Sequence, residues 1–416
     1  MPPLEIIPFA SKIIEIHTSD RGTYKRCRRR FGWGSTLRDN LIAEGPTRKA
    51  FFLGTGFHFA LEDWWGYRRF DHPALAFAAY YDAQKPDDLP DEAEEALDLA
   101  TGMLAYYVED WLTEHPEEFT TLVVDGVPQV EVEVAISLND ILLEELDRRA
   151  GPFHDLMGFD AALQQQARLR EIIETSSIEY VCTFDRVAID KHDRIWGLDY
   201  KTAAAFDELN LQNNPQAGAY DWAMDLFYTP HGFKPEGIIW QQHKKQVPAP
   251  PKRVNVGKKN ESFSFDMSQA TTYRLYKQAL KDHYGTIPGK YLDMLATLGD
   301  RQDFDGDAFI RRDMLRRNQY QREVEQAKII DEVLEMLDPE LPLYPNPTKD
   351  CSWDCPFKIP CLQKDEGSDF EYTLAHNYIQ WAGYRDDWRS RVKYPDAIAS
   401  VPTKPHRARR DSGNND

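Results

Sequence analysis

The sequence predicts an α/β fold in which a mixed central sheet is flanked by helices and carries large helical insertions. Segments with the period-two alternation of strands recur at 128–138, 179–189, 194–202 and 236–243, and helix-like segments lie before, between and after them. This order of helix, strand, hairpin, helix and strand predicts a compact α/β core surrounded by additional helices.

Length and composition set the broad class. The 416 residues are enough for one large domain with insertions or for two domains. We find no apolar run long enough to span a bilayer and no signal-peptide pattern at the N-terminus, so we expect an intracellular, cytoplasmic protein (the cytoplasm of a phage-infected host included) with no membrane partner. The net charge of −19 argues against broad, nonspecific binding of nucleic acid.

The N-terminal third is predicted to be helical. Residues 1–50 surround the basic run Arg21–Arg30, and 68–125 form an acidic helical insertion. Between them, residues 54–67 read as a glycine-led amphipathic helix, on which His58 and Glu62 share a face because they are four residues apart. A single histidine on an apolar face is most often a core residue; the alternative is a metal ligand.

The strand predicted at 128–138 carries Glu131 and Glu133 on one face. Glutamates at such positions most often form the solvent-exposed face of a strand. The alternative is that one of them is a further carboxylate beside a metal ion. Residues 140–175 are predicted to be helical again.

The hairpin predicted at 179–189 and 194–202 is the most informative segment. If its polar turn is centred on His192, Asp185 lies directly across from Asp199, with Cβ atoms roughly 5 Å apart. Two carboxylates at that distance repel unless a cation or a shared proton lies between them. Lys201 projects from the same face, whereas Cys182 lies on the opposite face as a core residue. An Asp–Asp–Lys set of this kind suits metal-assisted hydrolysis of phosphodiesters.

The helix at 212–228 begins at Asn213 or Asn214 as its cap, with Pro215 in the first turn. Gln216 and Tyr220 are four residues apart on it. They form either the polar face of an ordinary amphipathic helix, with Tyr220 packed in the core, or a pair that contacts phosphate or sugar through neutral donors. Further predicted segments are a second hairpin at 252–256 and 261–265, helices over 267–338, a proline- and cysteine-rich loop at 342–361, a helix at 369–391 and a disordered tail after Pro402.

These motifs together resemble the PD-(D/E)XK nuclease superfamily, specifically its RecB-like exonuclease branch. The series Gly54-x-x-x-His58-x-x-x-Glu62, Asp185, Asp199-x-Lys201 and Gln216-x-x-x-Tyr220 matches the family order over residues 54–220. The resemblance implies a restriction-endonuclease-like core and a DNA nuclease that acts on single strands or duplex ends.

The resemblance also implies roles for individual residues. One or two Mg²⁺ or Mn²⁺ ions would be held by Asp185, Asp199, His58 and the backbone carbonyl of Tyr200. Lys201 would orient the attacking water or neutralise developing charge. Gln216 and Tyr220 would position the substrate, and Glu62 would orient His58.

Four of the five cysteines resemble the iron–sulfur subgroup of these nucleases, which includes the CRISPR-adaptation exonucleases and AddB. Cys27 lies upstream of the His58 helix, and Cys351, Cys355 and Cys361 form a compact C-terminal triplet with the spacing C-x3-C-x5-C, where the family has C-x2-C-x5-C. The resemblance implies a [4Fe–4S] cluster that joins the two ends of the domain. A tetrahedral zinc site is one alternative. The other is that these are three ordinary loop cysteines and one buried cysteine that bind no metal.

The basic residues around Cys27, which are Arg26, Arg28, Arg29 and Arg30, are either a solvated helix face or a contact to the DNA backbone.

We expect a nuclease domain over 1–365, with core motifs at 54–245 and a helical, cysteine-rich part at 267–365, followed by a C-terminal helix and tail at 366–416. The alternative function is a DNA-binding recombination-accessory module with weak or no cleavage. A helicase or recombination partner is a further expectation, since the chain has no P-loop of its own.

Overall fold

The computed structural model describes residues 13–45, 48–150, 159–206, 211–303, 308–352, 354–381, 388–395 and 407–409. Most of the tail predicted to be disordered after Pro402 lies outside these ranges. The strands in chain order are β1 Ile13–His17, β2 Leu41–Ala43, β3 Thr120–Thr121, β4 Val123–Val124, β5 Val127–Pro128, β6 Val130–Ser137, β7 Ser177–Ile189, β8 Arg194–Ala203, β9 Lys234–Lys244, β10 Arg253–Val254, β11 Ser262–Phe263, β12 Ile310–Leu315, β13 Tyr378–Gln380 and β14 Arg407–Arg409.

The helices are α1 Thr18–Arg26, α2 Arg28–Gly34, α3 Lys49–Glu62, α4 Pro73–Asp82, α5 Ala93–Ala105, α6 Leu112–Glu114, α7 Asn139–Ala150, α8 Phe159–Thr175, α9 Pro215–Tyr228, α10 Tyr273–Tyr284, α11 Leu292–Asp303, α12 Gln319–Leu337, α13 Lys358–Glu366, α14 Phe370–Asn377 and α15 Trp388–Arg391. Two segments, Asp63–Tyr67 after α3 and Tyr106–Trp111 after α5, are π-helical. None of the described helices combines the length and the apolar run that crossing a membrane would need.

The central sheet is mixed and has eight strands among the described residues. Its order is β12-β9-β8-β7-β6-β14, and β1 and β3 also pair with β7. The pairs β7–β8, β6–β7 and β9–β12 are antiparallel, whereas β8–β9 and β1–β7 are parallel. The predicted α/β class with a mixed sheet flanked by helices is therefore confirmed.

Each face of the sheet supports its own apolar core. One core joins the sheet to α7, α8, α9 and α12, with Tyr180, Phe184 and Trp222 among its buried side chains. The other joins it to α3, α4 and α5 through residues such as Phe57 and Trp196. Burial of apolar surface on both faces stabilises the packing of the sheet between its two layers of helices.

Three predictions of continuous helix were wrong. Residues 1–50 contain β1 and β2, the 267–338 segment contains β12, and β13 interrupts the helix expected at 369–391. β1 alternates between partly buried and buried residues, but five residues are too few for the pattern to stand out from helix. The middle of β12 is charged and only its ends, Ile310 and Leu315, are buried, so its alternation is hidden.

Candidate metal centre

The hairpin of β7 and β8 sets the position of both predicted aspartates. Its register pairs Arg186 with Leu198 and Ile189 with Ile195, so Asp185 and Asp199 are the first residues beyond the last pair on each strand. The turn is held by Asp190, whose carboxylate accepts the N–H groups of His192 at 2.8 Å and of Arg194 at 3.1 Å. A fixed turn fixes the register, because a slip of one residue would turn both aspartates to the opposite face.

A gap in strand pairing lies beside Asp185. β6 and β3 pair with one edge of β7. On the opposite edge, β1 pairs as far as Val181 and β8 begins to pair at Arg186. Residues 182–185 therefore have no strand partner on that edge in the described part of the chain. Because β8 diverges here, the Tyr200 N–H is free to donate to Asp185 Oδ2 at 2.6 Å.

α3 brings His58 to this gap. Its Nδ1 lies 3.2 Å from Asp185 Oδ1 and 3.6 Å from Glu131 Oε1, and one ligand atom from each of the three residues lies within 4.8 Å of the others. Their side chains keep 28%, 10% and 17% exposure for His58, Asp185 and Glu131. The cluster is therefore enclosed by protein but open to solvent on one side.

Glu131 is the carboxylate that the sequence left undecided. The register of β6 pairs Val130 with Arg186 and Val132 with Phe184, which places Glu131 beside Asp185. Its φ is +46°, a left-handed conformation that costs a non-glycine residue about 1–3 kcal/mol within a strand. Backbone strain of this kind concentrates at functional sites, and here it accompanies a carboxylate that faces His58.

Asp199 and α9 form the second half of the site. Lys201 Nζ donates to Asp199 Oδ1 at 3.0 Å and lies 2.8 Å from Oδ2, outside hydrogen-bond geometry. The Gln216 amide donates to the same Oδ1 at 3.2 Å and to the Tyr220 hydroxyl at 2.8 Å. Asp199 Oδ2 is buried without a hydrogen-bond partner. Its only described partner is the Lys201 ammonium 2.8 Å away, so this oxygen is a candidate ligand atom for a metal ion that takes the place of that ion pair.

The predicted cap of α9 explains how these side chains are presented. The Asn214 side chain accepts the N–H groups of Gln216 and Ala217, and Pro215 occupies the first turn. The helix therefore begins directly beside Asp199, and the two neutral side chains, one turn apart, face the carboxylate.

The charges of the site are only partly balanced. Burial, reinforced by Asp185, raises the pKa of Asp199 to about 6 although Lys201 opposes the shift. Burial disfavours the charged forms of His58 and Lys201, yet the neighbouring carboxylates outweigh it and raise the pKa of both groups. The three carboxylates of Glu131, Asp185 and Asp199 and the imidazole of His58 fit a hard divalent ion such as Mg²⁺ or Mn²⁺, which would relieve the excess negative charge.

Two predicted site residues, Glu62 and Tyr200, make contacts other than those expected. Glu62 accepts a hydrogen bond from Arg389 at 2.7 Å, and the described contacts of His58 are with Asp185 and Glu131 instead. Tyr200 contributes its amide to Asp185, whereas a role for its carbonyl remains a prediction. Sequence reasoning missed Arg389 entirely, because nothing in the sequence indicated that α15 packs against α3.

The four outlying cysteines lie in one region. Cys27 connects α1 to α2 and its Sγ accepts the Arg30 N–H at 3.5 Å. Burial raises the pKa of Cys355, and the nearby thiols of Cys351 and Cys27 add to the shift. Cys361 packs with Cys355 against the Trp33–Phe357 cluster. Among the described residues no three sulfur atoms lie within 4.8 Å of one another. Cys182, by contrast, is 1% exposed and belongs to the main core, as predicted.

The arginines around Cys27 hold this region together. Arg26 and Arg30 pair with Asp354, Arg28 pairs with Glu335, and Arg29 pairs with Asp365. Arg29 Nη1 also lies 3.3 Å from Cys361 Sγ. Arg26 and Arg30 share one carboxylate, which Arg48 also contacts. These arginines join the N-terminal and C-terminal parts of the chain, and their contact to DNA stays a prediction.

Comparison with known proteins gives no family for the chain. No protein-family model matches it, and no curated protein was found to be similar.

Proposed function

We propose that this protein is a metal-dependent DNA nuclease of the PD-(D/E)XK superfamily, with a restriction-endonuclease-like core and an exonuclease activity on single strands or duplex ends like that of the RecB-like branch. The observation that carries the proposal is the convergence of His58, Glu131 and Asp185 beside the Asp199–Lys201 pair. Fold alone would not carry it, since one fold supports many activities.

The residues of the site divide the work of phosphodiester hydrolysis. His58, Glu131, Asp185 and Asp199 would hold Mg²⁺ or Mn²⁺, and a bound ion supplies Lewis acidity toward the phosphate. Lys201, held by Asp199, places a positive charge where negative charge develops on the phosphate. Gln216 is linked to both Asp199 and Tyr220, so these two neutral side chains orient the strand beside the carboxylates.

The iron–sulfur part of the proposal rests on the shared location of the four cysteines. Cys27 and Cys351 influence the pKa of Cys355, and Cys361 packs against the same aromatic cluster as Cys355. Four thiolates in one region suit an iron–sulfur cluster or a tetrahedral zinc site. We therefore propose Cys27, Cys351, Cys355 and Cys361 as cluster ligands, with zinc as the alternative that metal analysis of the anaerobically purified protein would reveal.

Cleavage of labelled single-stranded DNA in Mn²⁺ tests the activity. We expect the wild-type protein to shorten the strand and Asp199→Asn to leave it intact while keeping the fold. Asp221→Asn is the matched control, because Asp221 is also 1% exposed and paired with a cation, Arg322, but lies outside the site. DNA binding without cleavage by the wild-type protein would favour the accessory-module alternative, and cleavage by Asp199→Asn would refute the assigned site.

A further inference from the structure

A cavity of 420 Å³ adjoins the metal centre and occupies the gap beside β7. Its walls include Val181 and Thr183 of β7, the start of α1 and the first turns of α9. The gap between the end of β1 and the divergence of β8 thus leaves room on the same sheet edge that carries Asp185. This volume lies within the range of small-ligand sites, which is about 300–1,000 Å³.

The cavity shares two side chains with the metal centre. Gln216 and Tyr220 line it, and Gln216 also donates to Asp199. A molecule in the cavity would therefore contact groups that are one hydrogen bond away from the buried carboxylate. The cavity is a continuation of the site rather than a separate pocket.

The charge of the lining indicates an anionic ligand. None of the lining residues is acidic, although the chain has 69 acidic and 50 basic residues. Arg21 is neutralised by Glu325 and Glu332. Lys25 lies 3.3 Å from the same Glu332 and keeps 34% exposure. Both side chains pair with Glu332, but Arg21 is 1% exposed, so Lys25 is the lysine or arginine of the lining that a ligand can reach.

Gly22 of α1 gives the cavity its width on one side. It lines the cavity, and a Cβ added there would meet nothing within 4 Å. Glycine inside a helix is less stable than alanine by roughly 0.5–1 kcal/mol. No internal contact of the protein demands a glycine at this position, whereas a ligand in the cavity would benefit from the space.

We propose that this cavity binds the nucleotide next to the scissile phosphodiester, with the phosphate of that nucleotide at Lys25 and its sugar beside Gln216 and Tyr220. The proposal rests on the proposed nuclease function and specifies where the strand lies. In this proposal, the residues of α1 and α9 that line the cavity select a strand that carries phosphate.

Filling the cavity tests the proposal with two readouts, Mn²⁺-dependent cleavage of single-stranded DNA and binding of thymidine 5′-monophosphate by calorimetry. Gly22→Leu places a side chain in the cavity, and we expect it to raise KM by about tenfold or more and to weaken mononucleotide binding equally. Gly289→Leu is the control, because Gly289 is exposed, begins a short 3-10 helix outside the cavity and also has nothing within 4 Å of an added Cβ.

A pair of lysine variants separates a phosphate contact from a general loss of charge. Lys25→Gln should weaken DNA binding and lower the slope of log affinity against log salt by about 1. Lys328→Gln should change neither, because Lys328 pairs with Glu325 of the same network but does not line the cavity. Equal effects of the two variants would overturn the assignment of Lys25.

The outcomes distinguish this proposal from the nuclease function. If the wild-type protein cleaves DNA and Gly22→Leu behaves like it in both assays, the cavity proposal is refuted and the nuclease function stands. If the wild-type protein cleaves nothing, the nuclease function fails, and the cavity is judged by mononucleotide binding alone. Absence of that binding in the wild-type protein, or its persistence in Gly22→Leu, would then refute the cavity proposal as well.

Discussion

The metal centre and the cysteine region hold their candidate ligands in different ways. In the metal centre, His58, Glu131 and Asp185 come from α3, β6 and β7, and their ligand atoms already lie within 4.8 Å of one another. In the cysteine region, Cys27 lies between two helices and the other three lie on loops and α13, and salt bridges such as Arg26–Asp354 fix their surroundings. The sheet preorganises one site, whereas packing of the chain ends assembles the other.

This difference predicts different costs of losing a ligand. Removing a carboxylate from the metal centre leaves the sheet and its two apolar cores intact, so activity should fall far more than stability. Removing a cysteine should loosen the attachment of the C-terminal part and so lower stability. Activity and stability measured together therefore test whether the two regions have separate roles.

The largest expected effect is the loss of cleavage in Asp185→Asn. Groups that only support metal ligands typically contribute about 10–100-fold, and Asp185 touches both His58 and the Tyr200 amide. We therefore expect a fall in kcat/KM of more than ~100-fold in a protein that stays folded. Asp221→Asn serves as control. A stable Asp185→Asn protein with wild-type activity would remove Asp185 from the site.

The second prediction concerns Cys361→Ser. If the cysteines hold a cluster, this variant should lose iron after anaerobic purification, and its free energy of unfolding should fall by at least ~2 kcal/mol. Denaturant titration and metal analysis provide the measurements. Cys182→Ala, which alters a core cysteine of the sheet, should keep its iron. A full iron content in Cys361→Ser would contradict the four-ligand assignment.

The third prediction separates the two glutamates of β6. Glu131→Gln should weaken Mn²⁺ binding by about 10–100-fold, and Glu133→Gln should leave it unchanged. Glu131→Gly should lose the carboxylate as Glu131→Gln does but also the positive-φ strain, so we expect its free energy of unfolding to exceed that of Glu131→Gln by about 1 kcal/mol. Calorimetry with Mn²⁺ and chemical unfolding check the two parts. Equal loss of Mn²⁺ affinity in both glutamine variants would refute the selective role of Glu131.

The sequence predicted the parts of the site that depend on local pattern. The alternation of β7 and β8 and their polar turn predicted the Asp185–Asp199 register, and Asn214-Pro215 predicted the start of α9. Glu131 could not be distinguished from Glu133, because the choice depends on the register between β6 and β7 and on one unusual φ. These are tertiary properties that leave no periodic signal.

The same limit applies to the fold. β1 and β12 pair with strands that are 164 and 67 residues away at their first residues, Ile13 with Ser177 and Ile310 with His243. Short strands of this kind gain their stability from distant partners rather than from their own sequence. The cavity depends on where β1 stops pairing with β7, so it too was invisible in the sequence.

The last prediction concerns the smallest change, a proton exchanged at His58, and its effect on the pH dependence of metal binding at the metal centre. Without metal, Asp185 and Glu131 raise the pKa of His58. The stability that this charged pairing contributes is present below the ordinary histidine pKa and is lost as the pH rises through the raised value. Metal binding has the opposite sign, because the ion requires neutral imidazole and displaces a proton. Below the raised pKa, Mn²⁺ affinity should therefore increase by about tenfold per pH unit.

Calorimetric titration with Mn²⁺ between about pH 6 and 9 measures this slope. His58→Gln should bind Mn²⁺ more weakly and with a flatter dependence on pH, since the proton that competes with the ion is gone. His192→Gln is the control, because His192 lies in the exposed hairpin turn and should leave the slope unchanged. If the slope survives in His58→Gln, the competing proton belongs to another group. The candidate in the site is Asp199, whose pKa burial raises to about 6. A slope caused by Asp199 would end above that pH, whereas a slope caused by His58 continues beyond it.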